Sequence, residues 1–148
     1  MFSVEEKRIL AQAAEIIRSK LIYTPALTNP DLVREFLQNQ LAAREHEVFA
    51  MLLLDSQHRL IQFVELFRGT LDAASVYPRE VVKEVMQYNA AAVILAHNHP
   101  SGISEPSQAD RRITERLSKA LATVDVAVLD HFVVGHDSVT SFAERGWL

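Results

Sequence analysis

Ala91-Ala92-Val93-Ile94-Leu95-Ala96, running directly into His97-Asn98-His99-Pro100-Ser101-Gly102, is the stretch whose reading decides the fold. An unbroken apolar run that ends in turn residues is the pattern of a strand covered on both faces. Side chains alternate along a strand, so His97 and His99 share one face and Asn98 takes the other. A turn rich in Pro, Ser and Gly then leads through Pro106-Ser107-Gln108-Ala109 to Asp110. Two neutral imidazoles and one carboxylate, with a coordination position left open, are what a catalytic zinc requires. His97, His99 and Asp110 are therefore the expected ligands of one Zn2+ per chain, and the reading is a small zinc hydrolase. Iron, manganese or cobalt suits the same donors.

Outward from this strand the periodicities change by turns. Ser3 and Glu6 form a capping-box pattern before a helical run over residues 4–20. Residues 22–29 show no period and read as a linker, and Asn29-Pro30-Asp31 opens a second helix. Residues 47–54 and 60–67 read as two strands of a hairpin, joined by Asp55-Ser56-Gln57-His58. Gly69-Thr70-Leu71-Asp72 turns the chain towards a helix over 78–88. A helix over 107–121 and strands over 126–134 and 139–142 follow the histidine loop. Strands interleaved with helices predict an α/β fold with a mixed sheet, a hairpin first and then strand–helix–strand crossovers. The expected organisation is an N-terminal helical segment, 1–43, and a metal-binding domain, 44–148. The first segment is either an appendage or the cover of one sheet face.

At 148 residues the chain suits one packed core, and 49% apolar residues argue against disorder. A net charge of −4 weighs against a large nucleic-acid surface. With no cysteine, disulfides and thiolate metal sites are excluded, as is the thiolate-held zinc of the deaminases. The first residues carry no basic region followed by an apolar stretch, and no apolar run approaches the roughly 20 residues of a membrane span. The expectation is a cytoplasmic protein that meets no membrane.

Other residues complete the expected site. Ser107 and Asp110 make an S-x-x-D cap before the helical run of Ile113, Leu117 and Leu121, which anchors Asp110 on a rigid element. The Ser107 hydroxyl would lie close enough to the metal to stabilise an oxyanion. A general base is also needed, and Glu45, Glu47 and Glu65 are the candidates. Asn98 is given no ligand role. The nuclease motif spelled His-Asn-His spreads its residues over a ββα unit, which a contiguous triplet does not reproduce. His46, His58 and His136 lie near turns and read as surface residues.

Together these residues resemble the RadC family, within the wider JAMM (MPN-plus) metalloprotease group. The group's pattern is an upstream Glu, then His-x-His, seven residues, Ser, two residues and Asp. Glu47, His97, His99, Ser107 and Asp110 meet it, and Pro106-Ser107, Gly69-Thr70-Leu71-Asp72 and Asp130-His131 add the RadC-like signature. The similarity runs from about Arg44 to the C-terminus. It implies a three-layer, cytidine-deaminase-like α/β/α fold and zinc-dependent hydrolysis of a peptide or isopeptide bond. Glu47 becomes the general base, Ser107 the oxyanion donor, and His97, His99 and Asp110 the ligands. The N-terminal segment is too short for the helix-hairpin-helix region of longer RadC-like proteins, so the short form is expected.

Asp130 and His131 lie inside an apolar run and read as structural, as support for the metal ligands, or as a substrate contact. Arg111, Arg112, Arg116 and Lys119 make one helix basic, with Glu115 among them. A nucleic-acid-associated accessory protein using that helix, its metal structural, is the rival to a peptidase acting on a peptide or protein. The oligomeric state is left open.

Overall fold

The computed structural model describes residues 1–69 and 76–148. The Thr70-Leu71-Asp72 part of the expected turn lies outside the described residues. Ser3 caps α1 (Val4–Leu21) through the complete capping box with Glu6. The expected linker contains one 3-10 turn, Ala26–Thr28. Asn29 then caps α2 (Pro30–Leu41), with its side chain accepting from the Leu32 N–H. The strands are β1 (Val48–Leu54), β2 (Leu60–Arg68), β3 (Ala92–Asn98), β4 (Ala127–Val134) and β5 (Val139–Ser141). Helices α3 (Pro78–Gln87) and α4 (Gln108–Ala122) complete the described elements.

The sheet runs in the order β2-β1-β3-β4-β5. β1 pairs antiparallel with both β2 and β3, β3 pairs parallel with β4, and β5 returns antiparallel on β4. The sheet is therefore mixed. The connection through α3 passes over β1 to reach β3, whereas the one through α4 joins adjacent parallel strands. All seven residues of β1 and of β3 are buried. That burial explains their continuous apolar reading, since both faces of each strand are covered.

Alternation divides the core in two. Ala50, Leu52, Leu54, Ile94, Ala96 and Phe132 face Val33, Phe36, Leu37 and Leu41 of α2 and Ala14 and Leu21 of α1. Phe49, Met51, Leu53, Val93 and Leu95 face Val81 and Val85 of α3 and Ile113, Leu117 and Leu121 of α4. The result is a three-layer α/β/α sandwich. α1 and α2 cover one face, and α4, which carries Asp110, lies on the other. No described helix is long and apolar enough to cross a membrane.

Candidate metal centre

β3 continues two residues beyond its apolar run, so His97 leaves from a strand position and His99 from the first position after it. Both imidazoles meet Asp110, in the first turn of α4. His97 Nε2 lies 3.1 Å from Asp110 Oδ1, and His99 Nε2 lies 3.1 Å from Asp110 Oδ2. The two Nε2 atoms are 3.2 Å apart. One ligand atom from each of the three residues lies within 4.8 Å of the other two, close enough for a single ion to reach all three. The three residues form the described group able to hold a metal ion. By donor type and spacing they fit the ion.

Asp110 is held before any ion arrives. The Ser107 N–H donates to its Oδ2 at 2.7 Å, and the Asp110 N–H donates to Ser107 Oγ at 3.1 Å, a reciprocal capping box. Burial raises the pKa of this carboxyl, but the adjoining His97 and His99 imidazoles and the Ser107 N–H outweigh it and hold the group well below the ordinary carboxylate range. Asp110 is thus a carboxylate at any working pH. Because Ser107 Oγ is an acceptor in the cap, its O–H is left to donate elsewhere.

Hydrogen bonds behind the imidazoles set which nitrogen is bare. A carbonyl can only accept, so the bond of 2.9 Å between His99 Nδ1 and the Ile103 carbonyl places the proton on Nδ1. In the neutral ring Nε2 then carries a lone pair aimed at the site. For His97 the same deduction runs through three groups. Thr114 donates its hydroxyl proton to the Asp110 carbonyl at 2.8 Å. Its oxygen therefore accepts from His131 Nδ1–H, which leaves His131 Nε2 bare. That nitrogen accepts from His97 Nδ1–H at 2.7 Å, and His97 Nε2 is free for a metal.

His131 is fully buried, with Phe142 stacked on it at 4.6 Å between ring centroids and the edge of Phe49 at 5.5 Å. Burial, and then the nearby His97, push its pKa well below the ordinary imidazole value. It is the neutral ring that the chain of bonds requires. Its sequence neighbour leaves the strand on the other side. The Asp130 carboxylate accepts from Ser141 Oγ at 2.6 Å and from the Ala143 N–H at 2.9 Å, tying the C-terminal turn to β4.

Of the three carboxylates weighed as bases, Glu45 is exposed and ion-paired to Lys7 at 2.9 Å. Glu65 pairs with Arg44 and Arg68 at the sheet edge. Glu47 stands half-buried just before β1, and its charge acts on His99. The backbone on its C-terminal side is fixed by Asn98, whose Oδ1 accepts from the Val48 N–H at 2.7 Å. The Asn98 amide also donates to the His46 carbonyl at 3.0 Å, bracketing Glu47. Asn98, Thr114 and the Ile103 carbonyl are thus parts of the centre that pattern reading misses. His46 is exposed and His58 and His136 are half-buried, and none of the three belongs to the described metal-binding group. His136 sits against Gly102, whose φ of +88° and missing Cβ make room for its ring.

A RadC-like JAB domain profile matches residues 27–147. A UPF0758 protein of Shewanella denitrificans is 68% identical over 143 residues, covering 94% of this chain and 64% of that protein. A UPF0758 protein of Shewanella oneidensis is 66% identical with the same coverage. The chain thus spans 64% of the length of these curated relatives. With the profile match crossing every element of the metal centre, the chain belongs to the RadC-like JAB domain family.

Proposed function

We propose that this chain is a zinc-dependent peptidase that cleaves a peptide or isopeptide bond in a protein substrate. The observation that supports this reading best is the donor triangle of His97, His99 and Asp110, with both imidazole tautomers set to leave Nε2 bare. A zinc ion held there would supply Lewis-acid stabilisation of oxyanion charge and would acidify water.

The chain's own groups divide the remaining work. The Glu47 carboxylate takes a proton from the attacking water and later delivers it to the leaving amine. The Ser107 O–H, its oxygen already oriented by the Asp110 N–H, donates to the developing oxyanion. Asn98 keeps Glu47 in register with the histidines by bonding the residues on either side of it.

The test uses zinc-loaded protein, a peptide library that includes isopeptide-linked members, and mass spectrometry of the products. Wild type should cleave a subset. Glu47→Gln should keep its zinc and lose about 10²-fold or more in rate, the usual contribution of a general base. No cleavage by wild type, or equal cleavage by Glu47→Gln, would contradict the proposal.

A further inference from the structure

Beside α4, backing onto Thr114 and Phe142 behind the metal ligands, an open cleft of about 200 Å3 separates that helix from the C-terminal turn. One wall is Arg111, Thr114, Glu115, Ser118 and Lys119; the other is Phe142, Trp147 and Leu148. We propose that this cleft is a second binding site, one that takes a peptide segment in which acidic and apolar residues alternate.

The Arg111 guanidinium lies over the Trp147 indole, 4.1 Å from its centroid. It makes no hydrogen bond or ion pair among the described residues. Its face is covered, so the N–H edges are what it presents, and that fork matches a carboxylate. Lys119 stands two turns further along the same helix, likewise without an ion pair among the described residues. At 1.5 Å per residue their Cα atoms stand about 12 Å apart along the helix axis. An extended peptide covers that distance in about four residues, which puts its two acids on one face and the intervening apolar side chains on the other. Those apolar side chains meet Phe142, Trp147 and Leu148. Between the cations, Ser118 Oγ is buried with no partner among the described residues, an unmet donor and acceptor in the wall.

Arg145, also over the indole at 5.2 Å, is committed to Glu105 through two bonds of 2.8 and 2.7 Å. A nucleic acid fits the cleft less well. The indole face on which a base would stack is already taken by Arg111, and two cations make a short track for a phosphate backbone.

Trp147 is the sole tryptophan, so its emission reports on the cleft. The probe is the blocked peptide acetyl-Glu-Leu-Ser-Leu-Glu-amide, titrated into zinc-free protein and followed by fluorescence and calorimetry. Saturable binding is expected, weakened about tenfold or more when both Glu are replaced by Gln, and similarly in Arg111→Gln and Lys119→Gln. Equal binding of the acidic and amide probes, or no loss in either variant, would overturn the proposal. Inorganic phosphate or a single-stranded oligonucleotide binding more tightly than the peptide would overturn it too. The readout uses neither metal nor turnover, so it stands apart from the peptidase reading.

Discussion

Thr114→Val isolates the chain of bonds behind His97. Valine keeps the volume but offers no acceptor to His131 Nδ1–H. Two responses are open to the ring. It can leave that N–H buried and unpaired, at about 1–3 kcal/mol. Alternatively it moves its proton to Nε2, which forces the His97 proton onto the nitrogen facing the ion, at similar cost. The unpaired N–H costs stability with and without the ion; the tautomer switch must be undone before binding, so zinc affinity should then fall about 5- to 150-fold. The metal-free protein should melt about 3–10 °C lower, given a chain of this size. Affinity is read by competition with a chromophoric chelator, and melting by calorimetry. Thr114→Ser, which keeps the hydroxyl, should stay within about threefold of wild type. If Thr114→Val binds zinc within about twofold of wild type, the hydroxyl does not set the His97 tautomer and the reasoning fails.

Two further outcomes follow from the same centre. Asn98→Leu removes the acceptor of the buried Val48 N–H, so stability in urea should drop by about 1–3 kcal/mol, while zinc affinity changes little because Asn98 faces away from the ion; unchanged stability would refute the role given to Asn98. In the metal-free protein His99 is raised above its ordinary 6.5, chiefly by its bond to Asp110 and against the effect of burial. A group raised in the folded state stabilises fully below the unfolded value and loses that contribution as pH rises through the folded one. Metal-free protein should therefore gain stability through this group as pH falls towards 6.5. Zinc affinity should move the opposite way, since protons compete for the same nitrogen; a pH-independent affinity over that range would count against His99 as a ligand.

The layered fold was legible because each element carries its own period and its own cap. Ser3 with Glu6, Asn29 with Pro30, and Ser107 with Asp110 each mark a helix start that the structure shows. β3 reads two residues short because imidazole and amide side chains end the apolar run while the backbone pairing continues to Asn98. Strand order is a different kind of fact. Nothing local says that the connection after β2 passes over β1, because that depends on which sheet edge is left to pair.

The metal triad was legible from spacing alone, but its support was not. Thr114 lies four residues after Asp110, one helical turn, and sits among the core positions Ile113 and Leu117. A buried threonine there signals a bond back to the Asp110 carbonyl, yet its second partner, His131, comes from β4. Only the parallel register of β3 with β4 brings that ring behind His97. The part played by Asn98 depends in the same way on the antiparallel register of β1 and β3. Alternation sends it away from the metal, and its amide is then spent on β1. Asp130 and His131 are adjacent in sequence but diverge in space, one to the C-terminal turn and one to the ligand.

The central claim is that His97, His99 and Asp110 hold one catalytic ion. Elemental mass spectrometry of purified protein, after zinc addition and dialysis, tests it most directly. Wild type should retain about one zinc per chain, and His99→Ala and Asp110→Ala little. His99→Ala, which leaves the α4 cap intact, separates ligand loss from a folding defect. A wild-type chain that holds no zinc, or variants that hold as much as wild type, would contradict the account.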